Sequence, residues 1–149
     1  MAIFRFCLFM VAFALVGCAT PIDQQPSISS AESEALLKAC GNDALCRELQ
    51  LAVLVINSNL DDNGNRSIKA LPSSATRTTL SLNAQFRTPA LDELVRSEPN
   101  AKKDVSDIIL ASYCDDQDGS PILDLGGSIV MSLFYSTGEL FHRQRIENC

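Results

Sequence analysis

A short apolar segment at the N-terminus limits the folds open to this chain, because it decides the compartment in which the cysteines meet. Arg5 is followed by an almost unbroken apolar run from Phe6 to Val16. A basic residue before a run of this length is typical of a secretory signal peptide, and the run is too short to cross a bilayer comfortably. The sequence therefore predicts export to an oxidising compartment, where cysteines form disulfides.

The end of this segment predicts how the protein is attached. Leu15-Val16-Gly17-Cys18 resembles the lipobox of bacterial lipoproteins. The resemblance implies cleavage before Cys18, a diacylglyceryl group on its thiol and acylation of its new amino group; the alternative is a plain signal peptide cut elsewhere. Two or more acyl chains hold a protein stably on a bilayer, since each buried methylene contributes about 0.8 kcal/mol. Ala19 stands where an Asp would retain such a protein in the inner membrane, which implies the periplasmic face of the outer membrane.

The mature chain is acidic and has the length of one domain. The formal charge of −6 becomes −7 without residues 1–17, because that segment removes one cation, Arg5, and no carboxylate. Such a charge argues against nucleic acid and anionic membrane surfaces as partners. We predict a signal peptide at 1–17, a lipidated N-terminus and flexible tether at 18–30, and a single periplasmic α+β domain at 31–149.

Four cysteines remain in the predicted domain: Cys40, Cys46, Cys114 and Cys149. They allow three connectivities, of which we favour Cys40–Cys46 together with Cys114–Cys149. Zinc is the rival ligand, but neither spacing forms a CxxC knuckle, and an oxidising periplasm favours disulfides. The sequence therefore predicts two structural disulfides and no metal site.

The short pair restricts the backbone between its two cysteines. Residues six apart on a continuous helix are separated by about 9 Å, which is beyond the reach of a disulfide. The helix must therefore break between Cys40 and Cys46. Gly41 is suited to end one helix in a left-handed conformation, and Asn42 or Asp43 is suited to cap the next.

Hydrophobic periodicity predicts an α+β fold. The predicted helices are Ala31–Glu48 with a break at the cysteine pair, a helix starting at Thr88-Pro89, and a helix ending at Tyr113-Cys114. The predicted strands are Thr76–Phe86, Ser128–Tyr135 and Glu139–Ile146, the last two joined by a turn at Ser136-Thr137-Gly138. Leu49–Ile56 fits either a helix or a strand, and its β-branched residues favour a strand, whereas Ser67–Ala75 is predicted irregular. We therefore expect an antiparallel sheet of about four strands, with helices packed on one face, stabilised by disulfides.

No motif indicates catalysis. His142 is the single histidine, and nucleophile elbows, HExxH and phosphate loops are absent, so we interpret it as structural rather than as part of a triad. Asp61–Asn65 has the composition of a calcium loop, but an EF-hand needs Gly at the sixth position, where Arg66 stands. The sequence predicts no enzyme activity and no cofactor.

The C-terminal part resembles a known family. The features that carry the resemblance are a helix ending at Cys114, the segment Leu123–Gly127, a strand at Ile129–Tyr135, a turn through Gly138 and a final Cys149, in a chain with a lipobox. They are similar to the α/β class of type II secretion pilotins. Those small outer-membrane lipoproteins bind the C-terminal tail of the secretin and carry it to the outer membrane. The resemblance implies a sheet backed by helices, one disulfide and a secretin as partner.

We therefore expect a binding protein. In the favoured hypothesis an apolar groove between sheet and helices holds the secretin C-terminal tail, while acylated Cys18 holds the protein on the lipid bilayer. The alternative is a periplasmic inhibitor or immunity lipoprotein that neutralises a toxin or cell-wall hydrolase through an exposed rigid loop or an acidic patch. A structural envelope lipoprotein without a dedicated client would show neither feature.

Overall fold

The centre of the fold is a four-stranded sheet whose neighbouring strands do not all run in opposite directions. The computed structural model describes residues 30–60, 67–114 and 120–149. The strands, in their order across the sheet, are β1 (Ile68–Ala75), β2 (Thr79–Phe86), β3 (Ser128–Phe134) and β4 (Leu140–Ile146). β1 pairs antiparallel with β2, and β3 pairs antiparallel with β4, whereas β2 and β3 run parallel.

Helices account for the parallel pair. Within the described ranges they are α1 (Ser30–Cys40), α2 (Ala44–Ser58), α3 (Pro89–Ser97), α4 (Ala101–Cys114) and α5 (Pro121–Asp124). The last three form the connection from β2 to β3, and a crossover of this length brings the chain back into the sheet in the same direction. The α+β prediction is confirmed, but the expectation of a purely antiparallel sheet is wrong at its centre. No helix among the described residues is long and apolar enough to span a bilayer.

Some predicted features lie outside the described residues. These are the signal peptide at 1–17, the lipidation site Cys18, the tether up to residue 29, and the Asp61–Asn65 loop. They stay predictions from the sequence.

Leu49–Ile56 lies within α2, so the predicted strand is wrong and the helical alternative is right. α2 contains neither Gly nor Pro, and Leu49, Ala52 and Ile56 lie on its buried face at i, i+3 and i+7. A β-branched residue in a helix costs at most about 0.7 kcal/mol relative to Ala. Complete burial of Leu49 contributes about 1.5–3 kcal/mol, so packing outweighs the strand propensity.

The segment predicted to be irregular forms the edge strand β1. Its pairing with β2 is interrupted between Leu71 and Ser74, next to Pro72, and an edge strand with a bulge is where a sheet tolerates proline. The Asn57 side chain of α2 stabilises this interruption, because its Nδ2 donates to the Ser73 carbonyl oxygen at 3.0 Å and its Oδ1 accepts from the Ser73 N–H at 2.7 Å. A long-range contact therefore makes the strand possible.

The break between α1 and α2 has the geometry that the short cysteine pair requires. Gly41 adopts φ +58°, and the Asp43 carboxylate caps α2 by accepting from the Cys46 N–H at 3.0 Å. Cys40 and Cys46 form a disulfide with their Cα atoms 5.5 Å apart. The covalent bond thus ties the end of α1 to the first turn of α2.

Two buried clusters fill the layer between the sheet and the helices. The first cluster connects α2, α4 and α5 to the sheet: Leu49, Ala52, Ile56, Leu80, Leu82, Ile109, Tyr113, Ile122, Ile129 and Ile146. The second lies beneath α3 and the start of α4: Ala84, Phe86, Ala101, Leu133, Tyr135 and Phe141. In the second cluster the rings of Phe86 and Tyr135 both contact Phe141, with centroid distances of 5.7 and 5.3 Å.

A second disulfide closes the C-terminal end of the fold. Cys114, the last residue of α4, is bonded to Cys149, with Cα atoms 5.4 Å apart. Both disulfides in the structure are the pairs favoured from the sequence. By the chain-entropy model the wider 114–149 loop stabilises the fold more than the short 40–46 loop does.

Removal of either disulfide is expected to lower the free energy of unfolding, and removal of Cys114–Cys149 is expected to lower it more than removal of Cys40–Cys46. The Cys114→Ser/Cys149→Ser variant should lose about 3.8 kcal/mol, and the Cys40→Ser/Cys46→Ser variant about 2.4 kcal/mol, because the longer loop restricts the unfolded chain more. Guanidinium chloride unfolding measures both values. A tryptic map without reduction is the control for connectivity, and a linked Cys40–Cys114 peptide would contradict it.

Tyr113 gives the fold a dependence on high pH. Its hydroxyl is buried without a hydrogen-bond partner in the described part of the chain, and burial raises its pKa above the ordinary value of 10.0. Above that pH the unfolded chain loses the phenolic proton before the folded protein does. The free energy of unfolding should therefore fall with rising pH, by up to about 1.4 kcal/mol per pH unit from this group.

The Tyr113→Phe variant should lack this part of the pH dependence. At neutral pH it should be as stable as the wild type or slightly more so, because it removes an unpaired buried hydroxyl. Guanidinium chloride unfolding of both proteins at several pH values on either side of 10.0 tests this. Parallel curves for the two proteins would contradict it.

Candidate functional site

One face of the sheet carries no helix in the described structure. The buried clusters contain only sheet side chains from the opposite face, among them Ile129, Leu133 and Tyr135. We call the uncovered side the open face. It consists of three cross-strand rows, given from β1 to β4: Lys69, Gln85, Phe134 and Leu140; Leu71, Asn83, Ser132 and Arg143; Ser74, Ser81, Val130 and Arg145.

This arrangement differs from the groove expected between sheet and helices. The two buried clusters fill that layer, because α2 to α5 pack directly on the sheet. A small cleft of about 190 Å³ lies at one end of the sheet, with Thr78, Arg145 and Glu147 in its lining. A cleft of this size is below the usual range for a bound ligand, so the open face is the better candidate for binding.

Apolar side chains form part of the open face. Leu71, Val130 and Phe134 are half-buried, and Leu140, the cross-strand neighbour of Phe134, is 44% exposed. Exposed apolar side chains that lie together, surrounded by polar residues, indicate a surface for a partner. Their position in the register places Phe134 and Leu140 at one end of the face.

Two polar side chains of the open face, Asn83 and Gln85 on β2, are held in fixed orientations. Asn83 Nδ2 donates to the Pro72 carbonyl oxygen at 2.9 Å. Gln85 Nε2 donates to the carbonyl oxygens of Tyr135 and Ser136 at 3.2 and 3.1 Å. Each amide nitrogen therefore bonds within the protein, which leaves the amide oxygens as acceptors for another molecule.

The charge of the open face is opposite to that of the chain. The four described strands contain Lys69, Arg143 and Arg145 and no Asp or Glu, whereas the whole chain has a formal charge of −6. Arg143 Nε donates to Ser132 Oγ at 3.1 Å, and Arg145 Nε lies 2.7 Å from a carboxylate oxygen of Glu147, just beyond β4. These contacts hold two guanidinium groups at the β4 side of the face.

The hairpin that carries Phe134 and Leu140 is anchored from the helical side. The buried Asp92 carboxylate of α3 accepts from the Ser136 N–H at 2.9 and 3.1 Å and from the Ser136 hydroxyl at 2.6 Å. Between Leu133 and Phe134 the register shifts, so that Phe134 pairs with Leu140. The extra residue of β4, Phe141, packs in the second buried cluster. The bulge and the Asp92 contact together fix which side chains of the hairpin reach the open face.

A serine lies next to the single histidine but is not arranged as a nucleophile. Ser106 Oγ on α4 is 3.2 Å from His142 Nε2 and donates its proton to Gln144 Oε1 at 3.0 Å. With the hydroxyl proton directed at the amide, Ser106 serves as a link between two side chains of β4. Among the described hydrogen bonds none joins His142 to a carboxylate. The three side chains connect α4 to β4.

The sequence predicts no metal site and one lipidation site, Cys18. No group of three His, Cys, Asp or Glu side chains that could hold a metal ion occurs in residues 30–60, 67–114 and 120–149. The cysteines at 40, 46, 114 and 149 are in disulfides. Cys18 lies outside the described residues, so its lipidation stays a prediction.

Comparison with solved structures identifies proteins of the same fold. EpsS, the pilotin of the Vibrio vulnificus type 2 secretion system, gives a TM-score of 0.52 at 16% identity and covers 78% of this chain and 92% of its own. The type II secretion pilotin AspS of Vibrio cholerae gives 0.51 at 19% identity, covering 78% and 93%. A Pseudomonas aeruginosa protein described as secreted gives 0.52 at 14% identity, covering 69% and 88%.

These identities establish a shared fold. The resemblance to pilotins that the sequence suggested is therefore confirmed at the level of architecture. No protein-family model matches the chain, and no curated protein does. Because the three similar structures include a protein that is not described as a pilotin, function requires a separate argument.

Loss of the Asp92 carboxylate is expected to loosen the hairpin. Asp92→Ala should lower the free energy of unfolding by about 2 kcal/mol, because it leaves the half-buried Ser136 N–H and hydroxyl without their acceptor. Glu93→Ala is the matched control, since Glu93 lies next in α3 and is exposed, and should change stability by less than about 0.5 kcal/mol. Guanidinium chloride unfolding compares the two, and equal losses would contradict the role of Asp92.

Proposed function

We propose that this protein is an outer-membrane lipoprotein of pilotin type, which binds the C-terminal tail of a type II secretion secretin and escorts the secretin to the outer membrane. The observation that carries the proposal is the shared fold with two solved pilotins, each covered over more than nine-tenths of its length. The lipobox at Leu15–Cys18 supports it independently, because an escort to the outer membrane needs an attachment to that membrane.

The proposed activity is binding and transport rather than chemistry. Acylated Cys18 would attach the protein to the periplasmic face of the outer membrane, and the segment up to residue 29 would link this anchor to α1. Such a link of about a dozen residues spans at most about 40 Å when extended. The domain would therefore stay close to the membrane while the open face remains available to a client.

Deletion of the gene in its host is expected to misplace the secretin. Secretin multimers should be stranded in the inner membrane or lost, because the escort that connects them to lipoprotein sorting is missing. Membrane fractionation followed by detection of the secretin measures this. Wild-type protein should restore the outer-membrane multimer, whereas Cys18→Ser should not.

Cys7→Ser is the matched control for the anchor. Cys7 lies in the apolar run of the same signal peptide, so this substitution also removes a thiol but leaves the predicted lipidation site, and it should restore secretin location. Normal secretin multimers in the outer membrane of the deletion strain would contradict the pilotin proposal. That result would favour the alternative, a periplasmic inhibitor or immunity lipoprotein whose client is a toxin or a cell-wall hydrolase.

A further inference from the structure

We propose that the open face binds an amphipathic segment of the partner, in which carboxylates flank apolar side chains. The naming of that segment as the secretin tail rests on the proposed function; its chemistry is inferred from this face alone. Apolar contacts, charge and size each restrict the occupant.

The charge of the face selects an acidic partner. The strands contribute Lys69, Arg143 and Arg145 to the open face and no carboxylate, while Glu147, just beyond β4, offsets part of the Arg145 charge. Arg143 and Arg145 use Nε for their contacts with Ser132 and Glu147, and an arginine has further N–H groups on its terminal nitrogens that suit a carboxylate. A cationic face on a chain with a formal charge of −6 attracts acidic segments and disfavours basic ones.

The apolar side chains require that the same segment is not simply acidic. Phe134 and Leu140 are neighbours at one end of the face, and Val130 lies next to Arg145 in the register at the other. An acidic polymer without apolar side chains would leave this surface in water and forgo the favourable burial of its apolar area. The partner therefore needs both types of side chain on one side.

The size of the face fits a segment rather than a domain. Three rows two residues apart extend about 13 Å along the strands, and four strands extend about 14 Å across. A helix covers that length with about ten residues. The amide oxygens of Asn83 and Gln85 on this face favour a peptide over a lipid bilayer, since hydrocarbon offers no donors to them.

Photo-crosslinking in the host tests which face is occupied. A photoreactive phenylalanine analogue replaces Phe134 in the full-length lipoprotein, and the same analogue replaces Leu94 in the control. Leu94 is 42% exposed on α3, on the helical side of the sheet. Position 134 should form a protein crosslink, position 94 should not, and mass spectrometry should find carboxylates within the crosslinked segment.

Charge reversal then tests the chemistry. Arg143→Glu/Arg145→Glu should reduce the yield at position 134 by about tenfold, because like charges now face each other. Lys38→Glu/Lys102→Glu makes the same charge change at exposed helical positions and should leave the yield unchanged. Replacement of the partner's crosslinked carboxylates by Lys should restore the yield with the reversed variant. Lys69→Glu is a second reversal, which alters neither the Ser132 nor the Glu147 contact.

The outcomes separate this inference from the proposed function. Crosslinking at position 94 but not 134, crosslinking of position 134 to lipid, or a yield insensitive to both reversals would overturn the inference, whatever happens to the secretin. Two results together would support the inference and overturn the pilotin proposal. The first is a charge-dependent crosslink to an acidic segment of a protein other than the secretin. The second is normal location of the secretin in the strain that lacks this lipoprotein. A charge-dependent crosslink to the secretin tail supports both.

Discussion

The parallel pairing of β2 with β3 determines the rest of the architecture. A parallel pair cannot be closed by a tight turn, so the chain between the two strands has to cross the sheet. Here the crossover consists of α3, α4 and α5, and all three contribute to the buried clusters on one side. With α2 on the same side, the opposite face of the sheet carries no helix in residues 30–60, 67–114 and 120–149.

Local signals predicted much of this fold correctly. Thr88 caps α3 with Pro89 in its first turn, Gly41 and Gly138 have positive φ where a break and a turn were expected, and β2 alternates between buried and half-buried side chains. These features depend on a few adjacent residues, whose conformational preferences are properties of the chain itself. They are therefore visible in sequence.

The errors concern features that distant residues decide. β1 depends on the hydrogen bonds of Asn57 to Ser73, and Leu49–Ile56 is helical because one side of it packs in the core. Periodicity shows that a strand has a buried face but not how closely the helices pack on it, so it could not decide which surface is open to a partner. The cationic character of the open face was detectable in principle, because the four strand sequences contain cations and no carboxylates.

The disulfide between Cys40 and Cys46 would have a mechanical consequence if the proposed anchor at Cys18 holds the protein by its N-terminus. A pulling force that enters through α1 could peel it away from α2, because none of the α1 residues whose burial is described, 34–40, belongs to the buried clusters. At Cys40 the force meets a covalent bond to Cys46 and passes directly into α2, whose Leu49 is fully buried. Peeling of α1 therefore ends at Cys40, and the force then acts on a helix that is held by its buried face.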